Sequence, residues 1–250
     1  MPFHPSRSAI GEISSFGRLN MIKKRSVFIL LILLFSSCSS MSHRTIVENE
    51  DAGKAATVSH VSVVYLSSGK ISFGDVVTKP AESSELWHVS ETIEKASRDS
   101  LASAGKQLDS FRTVIVEKGK KPSISIDPKS DALIVIGENA FCQQDCCYSG
   151  IGILMDKRKR LFQTVIQPFA MLEVYVKLKD GSKPLHALNS RNVGKFGGAT
   201  ASNVDGVDFH DTLGEFPPKE RALLETALHN RIEIVVKALF TDLGFGKEME

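Results

Sequence analysis

A short basic cluster followed by an apolar run near the amino terminus constrains this chain most, because it decides which residues belong to the fold. Lys23, Lys24 and Arg25 precede an unbroken run of nine apolar residues, from 27 to 35. Nine residues are too few to cross a bilayer core as a helix, which needs about 20. They match the apolar stretch of a secretory signal, with positive charge on its cytoplasmic side. We therefore predict that the chain is exported.

The apolar run ends in Phe-Ser-Ser-Cys at residues 35–38, and small residues before a cysteine resemble the lipobox of bacterial lipoproteins. The resemblance implies that Cys38 is thioether-linked to diacylglycerol and becomes the new amino terminus. It covers residues 21–40, and Phe35 departs from it, because the family prefers Leu at that position. Two other interpretations stay open: an ordinary signal peptide cut among residues 36–40, and an uncleaved anchor, which the short apolar run disfavours.

The leader also predicts location and boundaries. Lipoproteins that this chain resembles stay in the inner membrane mainly when Asp follows the cysteine, so Ser39 implies the outer membrane, facing the periplasm. Met21 directly precedes the basic cluster, and we predict that translation starts there. Residues 1–37 are then lost, and residues 38–57 form a lipidated, flexible tether because they show no apolar periodicity. Residues 58–246 are predicted to form a single periplasmic domain.

Removal of the leader reverses the sign of the net charge. The leader holds five of the 31 basic residues and one of the 29 acidic residues, so the mature chain has 26 against 28. The pI near 8.3 therefore reflects the leader. Since nucleic-acid binding needs a basic domain or stripe, we predict no nucleic-acid partner.

Hydrophobic periodicity predicts an α+β domain, with a mixed, mostly antiparallel sheet and two main helices packed on one face. Segments 58–66 and 71–77 are expected to pair around a turn, with Pro80 closing the unit. A long strand is expected to break or bulge at Pro168 and to return through a hairpin. The strand patterns cover residues 58–66, 71–77, 111–117, 132–136, 152–155, 165–179 and 185–188.

Two stretches show helical spacing. The first runs from 84 to 107, with Glu82 and Glu85 near its start, where the helix dipole favours acids. Its expected apolar stripe is Leu86, Val89, Ile93, Ala96 and Leu101. The second runs from 218 to 243 and is expected to end at glycines.

Cys142, Cys146 and Cys147 form the densest cluster of reactive residues. Because thiols tend to oxidise outside the cytoplasm, we favour a local disulfide from Cys142 to Cys146 or Cys147. A metal site with Asp145 or a distant His as fourth ligand is disfavoured, because zinc sites usually have a second cysteine pair. A redox or intermolecular thiol is the other alternative, and the cluster lacks a C-x-x-C motif.

A long Gly-, Asn- and Asp-rich loop over residues 189–215 holds the second cluster. Carboxylates and a His in this pattern suit a divalent cation, but the order of an EF-hand is missing. Because Asp and Asn are common in loops, we favour a solvated loop. The candidate ligands are Asp205, Asp208 and His210, with Asn203 and Asp211 beside them.

The leading hypothesis is a membrane-anchored envelope lipoprotein whose non-catalytic periplasmic domain binds a protein partner, with no cofactor. The succession of a strand near 131–137, a long strand ending in a Lys-Asp-Gly hairpin and a terminal helix resembles the layout of penicillin-binding-protein activators and of the curli-secretion channel subunit. This resemblance carries no functional residues to the chain. The alternative is a small-ligand, metal-binding or hydrolytic domain that uses the 141–150 and 190–215 loops. It requires one cleft that joins the cysteines to Asp208 and His210.

Overall fold

A computed structural model describes residues 55, 57–75, 77–117, 122–143, 146–156, 165–181, 184–189 and 203–246. All of them belong to one compact unit, Ser42–Glu250. Cys38 and Asp145 lie outside the described residues. The strands are β1 (His60–Ser67), β2 (Lys70–Gly74), β3 (Thr78–Ser83), β4 (Gln107–Ile115), β5 (Ala132–Glu138), β6 (Ala140–Gln143), β7 (Cys146–Ser149), β8 (Ile151–Asp156), β9 (Val165–Ala170), β10 (Leu172–Leu178) and β11 (Leu185–Asn189). The helices are α1 (Val89–Ser103) and α2 (Pro218–Asp242), with short 3-10 helices at Ser84–Trp87 and Leu213–Glu215.

The larger sheet has five strands in the order β11-β10-β5-β1-β4. β1 runs parallel to both β4 and β5, whereas β10 runs antiparallel to β5 and β11. β5 is the middle strand, and its apolar sequence is buried along most of its length. β10 alternates buried and more exposed residues, as expected for a strand with one face on the core.

The smaller sheet has four strands in the order β3-β2-β8-β9, and β6 pairs with β7 in a separate hairpin. The pair β2–β8 is parallel, and the pairs β2–β3 and β8–β9 are antiparallel. Both sheets contribute to one main core, which also contains the buried sides of α1 and α2. A second, smaller cluster joins Leu154, Phe169 and Met171 to Tyr148 of the hairpin.

The predicted α+β class, with mixed strands and two main helices, is confirmed. The strands form two main sheets and the β6–β7 hairpin, and the chain passes from the smaller main sheet to the larger one at Met171, between β9 and β10. Asn139 donates its backbone N–H to the carbonyl oxygen of Met171 at 2.9 Å, and Met171 donates its own N–H to the carbonyl oxygen of Gly150 at 2.8 Å. These bonds hold the two sheets together at their junction.

The predicted partner of the first strand is wrong. Instead of pairing with β1, β2 ends at Gly74 and joins β3 and β8 in the smaller sheet. Pro80 does not close a unit but lies inside β3. Since β3 is an edge strand, the missing N–H of proline is tolerated there.

The predicted break at Pro168 is also wrong. Pro168 lies inside β9 opposite Ile153, and the chain changes sheet at Met171. β9 is an edge strand of the smaller sheet, which again allows a proline. The hairpin from β10 to β11 is confirmed.

The first helix starts later than predicted. The 3-10 helix Ser84–Trp87 precedes it, and His88 separates the two with a left-handed φ of 45°. Leu86 is 62% exposed, so it does not belong to the buried stripe of α1. Glu82 lies in β3 and not at the helix start. The second helix has the predicted extent, and no helix in the described part of the chain is long and apolar enough to cross a membrane.

Candidate functional site

Tyr65, Ser67 and Glu138 form a polar cluster where the parallel strands β1 and β5 end. The register places Tyr65 beside Ile136, so the carboxyl ends of both strands meet at the same edge. The Tyr65 hydroxyl donates to Glu138 Oε1 at 2.5 Å, and the Ser67 hydroxyl donates to the same oxygen at 3.1 Å. Since ligands of open α/β sheets bind outside the carboxyl ends of parallel strands, this cluster is the first candidate site.

Burial governs the electrostatics of the cluster. Tyr65 is 1% exposed, and this burial, together with the nearby Glu138 carboxylate, raises the pKa of the Tyr65 hydroxyl well above its ordinary value. Tyr65 is therefore a neutral donor at physiological pH and cannot serve as a base. Gly150 leaves room for the carboxylate, because a Cβ at that position would lie 2.6 Å from Glu138 Oε2.

The described contacts of this cluster hold one carboxylate in place. Both described hydrogen bonds to Glu138 come from neutral hydroxyl groups. Among the described contacts of Glu138, Tyr65 is the only other titratable side chain, and its raised pKa keeps its hydroxyl protonated. We conclude that Tyr65 and Ser67 fix Glu138 where the chain leaves β5 for the β6–β7 hairpin.

We predict that the hydroxyl groups of two tyrosines differ in how much they stabilise the folded protein. We expect Tyr65→Phe to lower the free energy of unfolding by about 1.5–3 kcal/mol, because it removes a buried hydrogen bond to a charged group. Tyr175→Phe is the matched control, since Tyr175 donates to Glu173 at 3.2 Å but is 41% exposed. The control should change stability by less than about 0.5 kcal/mol in urea unfolding. Equal losses in the two variants would contradict the assignment.

The predicted cysteine cluster lies in the β6–β7 hairpin. The register pairs Cys142 with Cys147 and Gln143 with Cys146. Cys147 is disulfide-bonded. Directly opposite residues of an antiparallel pair have Cα atoms about 4.5–5.5 Å apart, which suits a disulfide. The register thus favours Cys142 as the partner of Cys147, and this pairing stays a prediction.

The hairpin covers the face of the smaller sheet that is turned away from α2. The Ser72 hydroxyl donates to the carbonyl oxygen of Ser149 at 2.8 Å, and the Thr78 hydroxyl donates to that of Cys147 at 3.5 Å. The Tyr148 ring lies 5.8 Å from the ring of Phe169, measured between centroids. The two hydroxyl bonds and the ring contact place the hairpin on this face.

The Asp- and His-containing loop lies on the opposite face. The His210 ring is 4.6 Å from the Phe216 ring, which is 6.1 Å from the Phe73 ring. Phe73 and Ser72 are neighbours in β2, so their side chains point to opposite faces of the sheet. Across the described residues, the hairpin and the loop therefore do not line one cleft.

The loop residues are used to hold the start of α2. Glu220 Oε2 lies 3.2 Å from His210 Nε2 and accepts the backbone N–H of Asp208 at 3.1 Å. Asp205 lies in an exposed turn. Within the described part of the chain, no three His, Cys, Asp or Glu side chains lie close enough to hold a metal ion. Asp205, Asp208 and His210 thus do not form a metal site as placed.

An ion pair that the sequence patterns do not predict joins β3 to α2. Arg221 donates to Glu82 at 2.5 and 3.3 Å, and the Trp87 indole N–H donates to Glu82 Oε2 at 2.9 Å. The Arg221 guanidinium also lies 4.8 Å from the centre of the Trp87 ring. Burial opposes ionisation of Glu82, but the bonds from Arg221 and Trp87 outweigh it and lower the pKa of this carboxyl. The only signal in the sequence was that Trp87 is the single tryptophan.

Comparisons with known proteins add little to this geometry. No family model matches the chain, and no curated protein matches it. Among solved structures, it is similar to the crystal structure of protein XCC0632 from Xanthomonas campestris, of family DUF330, at 12% identity and a TM-score of 0.34. The match covers 75% of this chain and 85% of that chain. We base no functional argument on this likeness.

Proposed function

We propose that this protein is an envelope lipoprotein whose domain binds a protein partner without catalysing a reaction. The observation that carries the proposal is the leader, with its basic cluster, its apolar run of nine residues and Cys38 directly after two serines. This pattern is typical of chains that are exported and then anchored by lipid. Ser39 favours the outer membrane, with the domain facing the periplasm.

The start of the domain supports a tethered arrangement. The Lys106 ammonium donates to the carbonyl oxygens of Ala55 at 2.5 Å and Val58 at 2.9 Å. It also lies 5.3 Å from the centre of the Phe245 ring, and burial lowers its pKa. Ala55 is fully buried, so the chain that leads from Cys38 enters the domain at the contacts of Lys106 with Ala55 and Val58. In the proposed arrangement, the lipidated segment joins the domain beside Lys106.

The non-catalytic part of the proposal is supported by how the polar groups are used. Glu138, Glu82 and Glu220 each receive hydrogen bonds that join two elements of the fold. The alternative of a ligand or metal site needs the cysteine hairpin and the Asp208–His210 loop in one cleft. Their positions on opposite faces of the smaller sheet favour the partner-binding hypothesis.

Lipidation is tested by feeding cells an alkyne-tagged fatty acid. We expect the wild-type protein to carry the label. Cys38→Ala should remain unlabelled and uncleaved, because the substitution removes the thiol to which the lipid would be attached. Cys146→Ser is the matched control and should stay labelled. The uncleaved variant can stay at the membrane through its apolar run, so the label and the chain length decide the result. A cleaved but unlabelled wild-type chain would indicate an ordinary secretory signal instead.

Partner binding is tested by crosslinking in the native envelope, followed by mass spectrometry. The control is the same domain secreted through an ordinary signal peptide, which lacks lipid but keeps the folded surface. We expect one reproducible partner whose recovery falls without the lipid, because anchoring raises the local concentration. Recovery of no partner with the lipidated protein would contradict the proposal.

A further inference from the structure

We propose that the free edge of β4, together with Leu86 and Ile115, binds an extended segment of a partner protein that adds as a further strand to the five-stranded sheet. The inference rests on the proposed function and names the surface that the partner occupies. Strand addition of this kind uses backbone hydrogen bonds for affinity and alternate side chains for specificity.

β4 has the properties of an edge that is open to pairing. It is nine residues long and ends the five-stranded sheet, and no other strand among the described residues pairs with its second edge. Edges are usually protected by charged side chains, Pro or a bulge; β4 contains neither Lys nor Pro, and its two charged residues are Asp109 and Arg112. Its one irregularity lies near its amino end, where the register shifts between Val61 and Ser62 of β1. The stretch from Ser110 to Ile115 pairs regularly.

An apolar patch lies at the carboxyl end of this edge. Leu86 and Ile115 are 62% and 57% exposed, the highest values for large apolar side chains in the described part of the chain. Ile115 adjoins the turn between β1 and β2, and Leu86 lies two residues after Ser84, which is hydrogen-bonded to that turn. Ile115 lies 3.5 Å from the position of a Cβ on Gly69, and Ser84 donates its backbone N–H to the carbonyl oxygen of Gly69 at 3.1 Å. A partner strand that ends here would cover both side chains.

The charges on β4 favour an acidic residue in the partner. Asp109 is already engaged, since its carboxylate lies 2.9 Å from His60 Nδ1 and accepts the Ser130 hydroxyl at 2.8 Å. Arg112 is exposed and forms no ion pair with the described residues. A carboxylate directly opposite Arg112 on an added strand would lie on the same face, about 5 Å away between Cβ atoms. The expected segment is therefore extended, with an acidic residue facing Arg112 and an apolar residue facing Ile115.

The tether argues against the bilayer as the occupant. It enters at Lys106, directly before β4, whereas the patch lies at the other end of the strand. An unstructured chain of the sixteen residues between Cys38 and Ala55, as predicted from the sequence, would have an r.m.s. span of about 20–24 Å, which is shorter than the length of β4, about 30 Å. The distance of the patch from the tether favours a protein segment over the bilayer as its occupant.

The test uses the full-length lipidated protein in detergent micelles and a phage-displayed library of linear nine-residue peptides as the probe. Selected peptides should carry an acidic residue at a fixed position and should slow hydrogen exchange along β4. Ile115→Lys and Leu86→Lys should weaken the best peptide about tenfold, which corresponds to 1.4 kcal/mol. Ile234→Lys is the matched control, because Ile234 is 39% exposed on α2, and it should leave binding unchanged.

Charge reversal gives the sharpest outcome. Arg112→Glu should change the preference at the fixed position from acidic to basic peptides, while thermal unfolding shows that each variant is folded. Three results would overturn the inference: no selected peptide, exchange protection away from β4, or equal effects of Ile115→Lys and Ile234→Lys. A dimer that dissociates in Ile115→Lys would also overturn it, by making a second copy the occupant. Peptide binding reports on the folded domain, so failure here while the Cys38 labelling experiment succeeds is distinct from failure of the proposed function.

Discussion

Substitution of Gly152 by Ala is expected to prevent stable folding. A Cβ at this position would lie 2.0 Å from the carbonyl oxygen of Ser72 and 2.8 Å from the Phe169 ring. Ser72 is the partner of Gly152 in the parallel pair β2–β8, so the collision is with backbone that cannot rotate away. Overpacking of a core typically costs about 1–3 kcal/mol, and a backbone collision exceeds this range. We expect a loss of at least about 4 kcal/mol, a large part of the total stability of a domain.

The measurement is urea unfolding followed by far-UV circular dichroism. Gly214→Ala is the matched control, because nothing lies within 4 Å of the position of its Cβ, and it should change stability by less than about 0.5 kcal/mol. A Gly152→Ala protein as stable as the Gly214→Ala control would show that β2 and β8 do not approach as closely as described.

Substitution of Trp87 by Ala is expected to have the second largest effect. Trp87 is 1% exposed, donates to Glu82 and lies under the Arg221 guanidinium. Its removal leaves a cavity between β3 and α2, and loss of a buried Trp costs about 3–5 kcal/mol. The Glu82 carboxylate also loses a donor, although its ion pair with Arg221 remains.

Leu86→Ala is the matched control for this prediction, because Leu86 is the adjacent residue and is 62% exposed. It should lower the free energy of unfolding by less than about 0.5 kcal/mol. Since Trp87 is the only tryptophan, circular dichroism must replace fluorescence as the probe. Similar losses in both variants would mean that Trp87 does not anchor β3 to α2.

The two stability predictions and the proposed edge concern different parts of the fold. Gly152 and Trp87 lie where elements pack tightly, and their roles follow from contacts that the sequence does not reveal. The β4 edge is not tightly packed, since the side chains of β4 remain half-buried or exposed after folding. A protein that binds a partner through strand addition needs both features, a rigid sheet and an unpaired edge.

The extent of agreement between sequence and structure depends on the range of the interactions involved. The apolar run of β5, the alternation along β10 and the long amphipathic α2 were predicted close to their observed bounds. Each of these patterns is local, because periodicity of 2 or 3.6 residues reports which side of an element faces the core. The turn between β10 and β11 was predicted for the same reason.

Predictions failed where the answer depended on distant partners. β2 follows β1 after a short turn, yet it pairs with β8, which lies far along the chain. Because a proline cannot donate to a central ladder, the sequence predicts breaks at Pro80 and Pro168, but both lie in edge strands. Whether a strand is central or at an edge is a property of the assembled sheet.

The candidate sites also divide into features that local sequence shows and features that depend on contacts between distant residues. The sequence alone identified the cysteines at 142, 146 and 147 and the acidic loop residues as unusual, but it left open whether they meet. The tertiary structure placed Cys147 and His210 on opposite faces of the smaller sheet and gave His210 and Asp208 a role at Glu220. It also assembled Tyr65 with Glu138, and Glu82 with Arg221, across 73 and 139 positions of the chain. Local periodicity determined the elements of this protein, whereas long-range packing decided its sheets and clusters, because contacts between distant residues leave no periodic signal in the sequence.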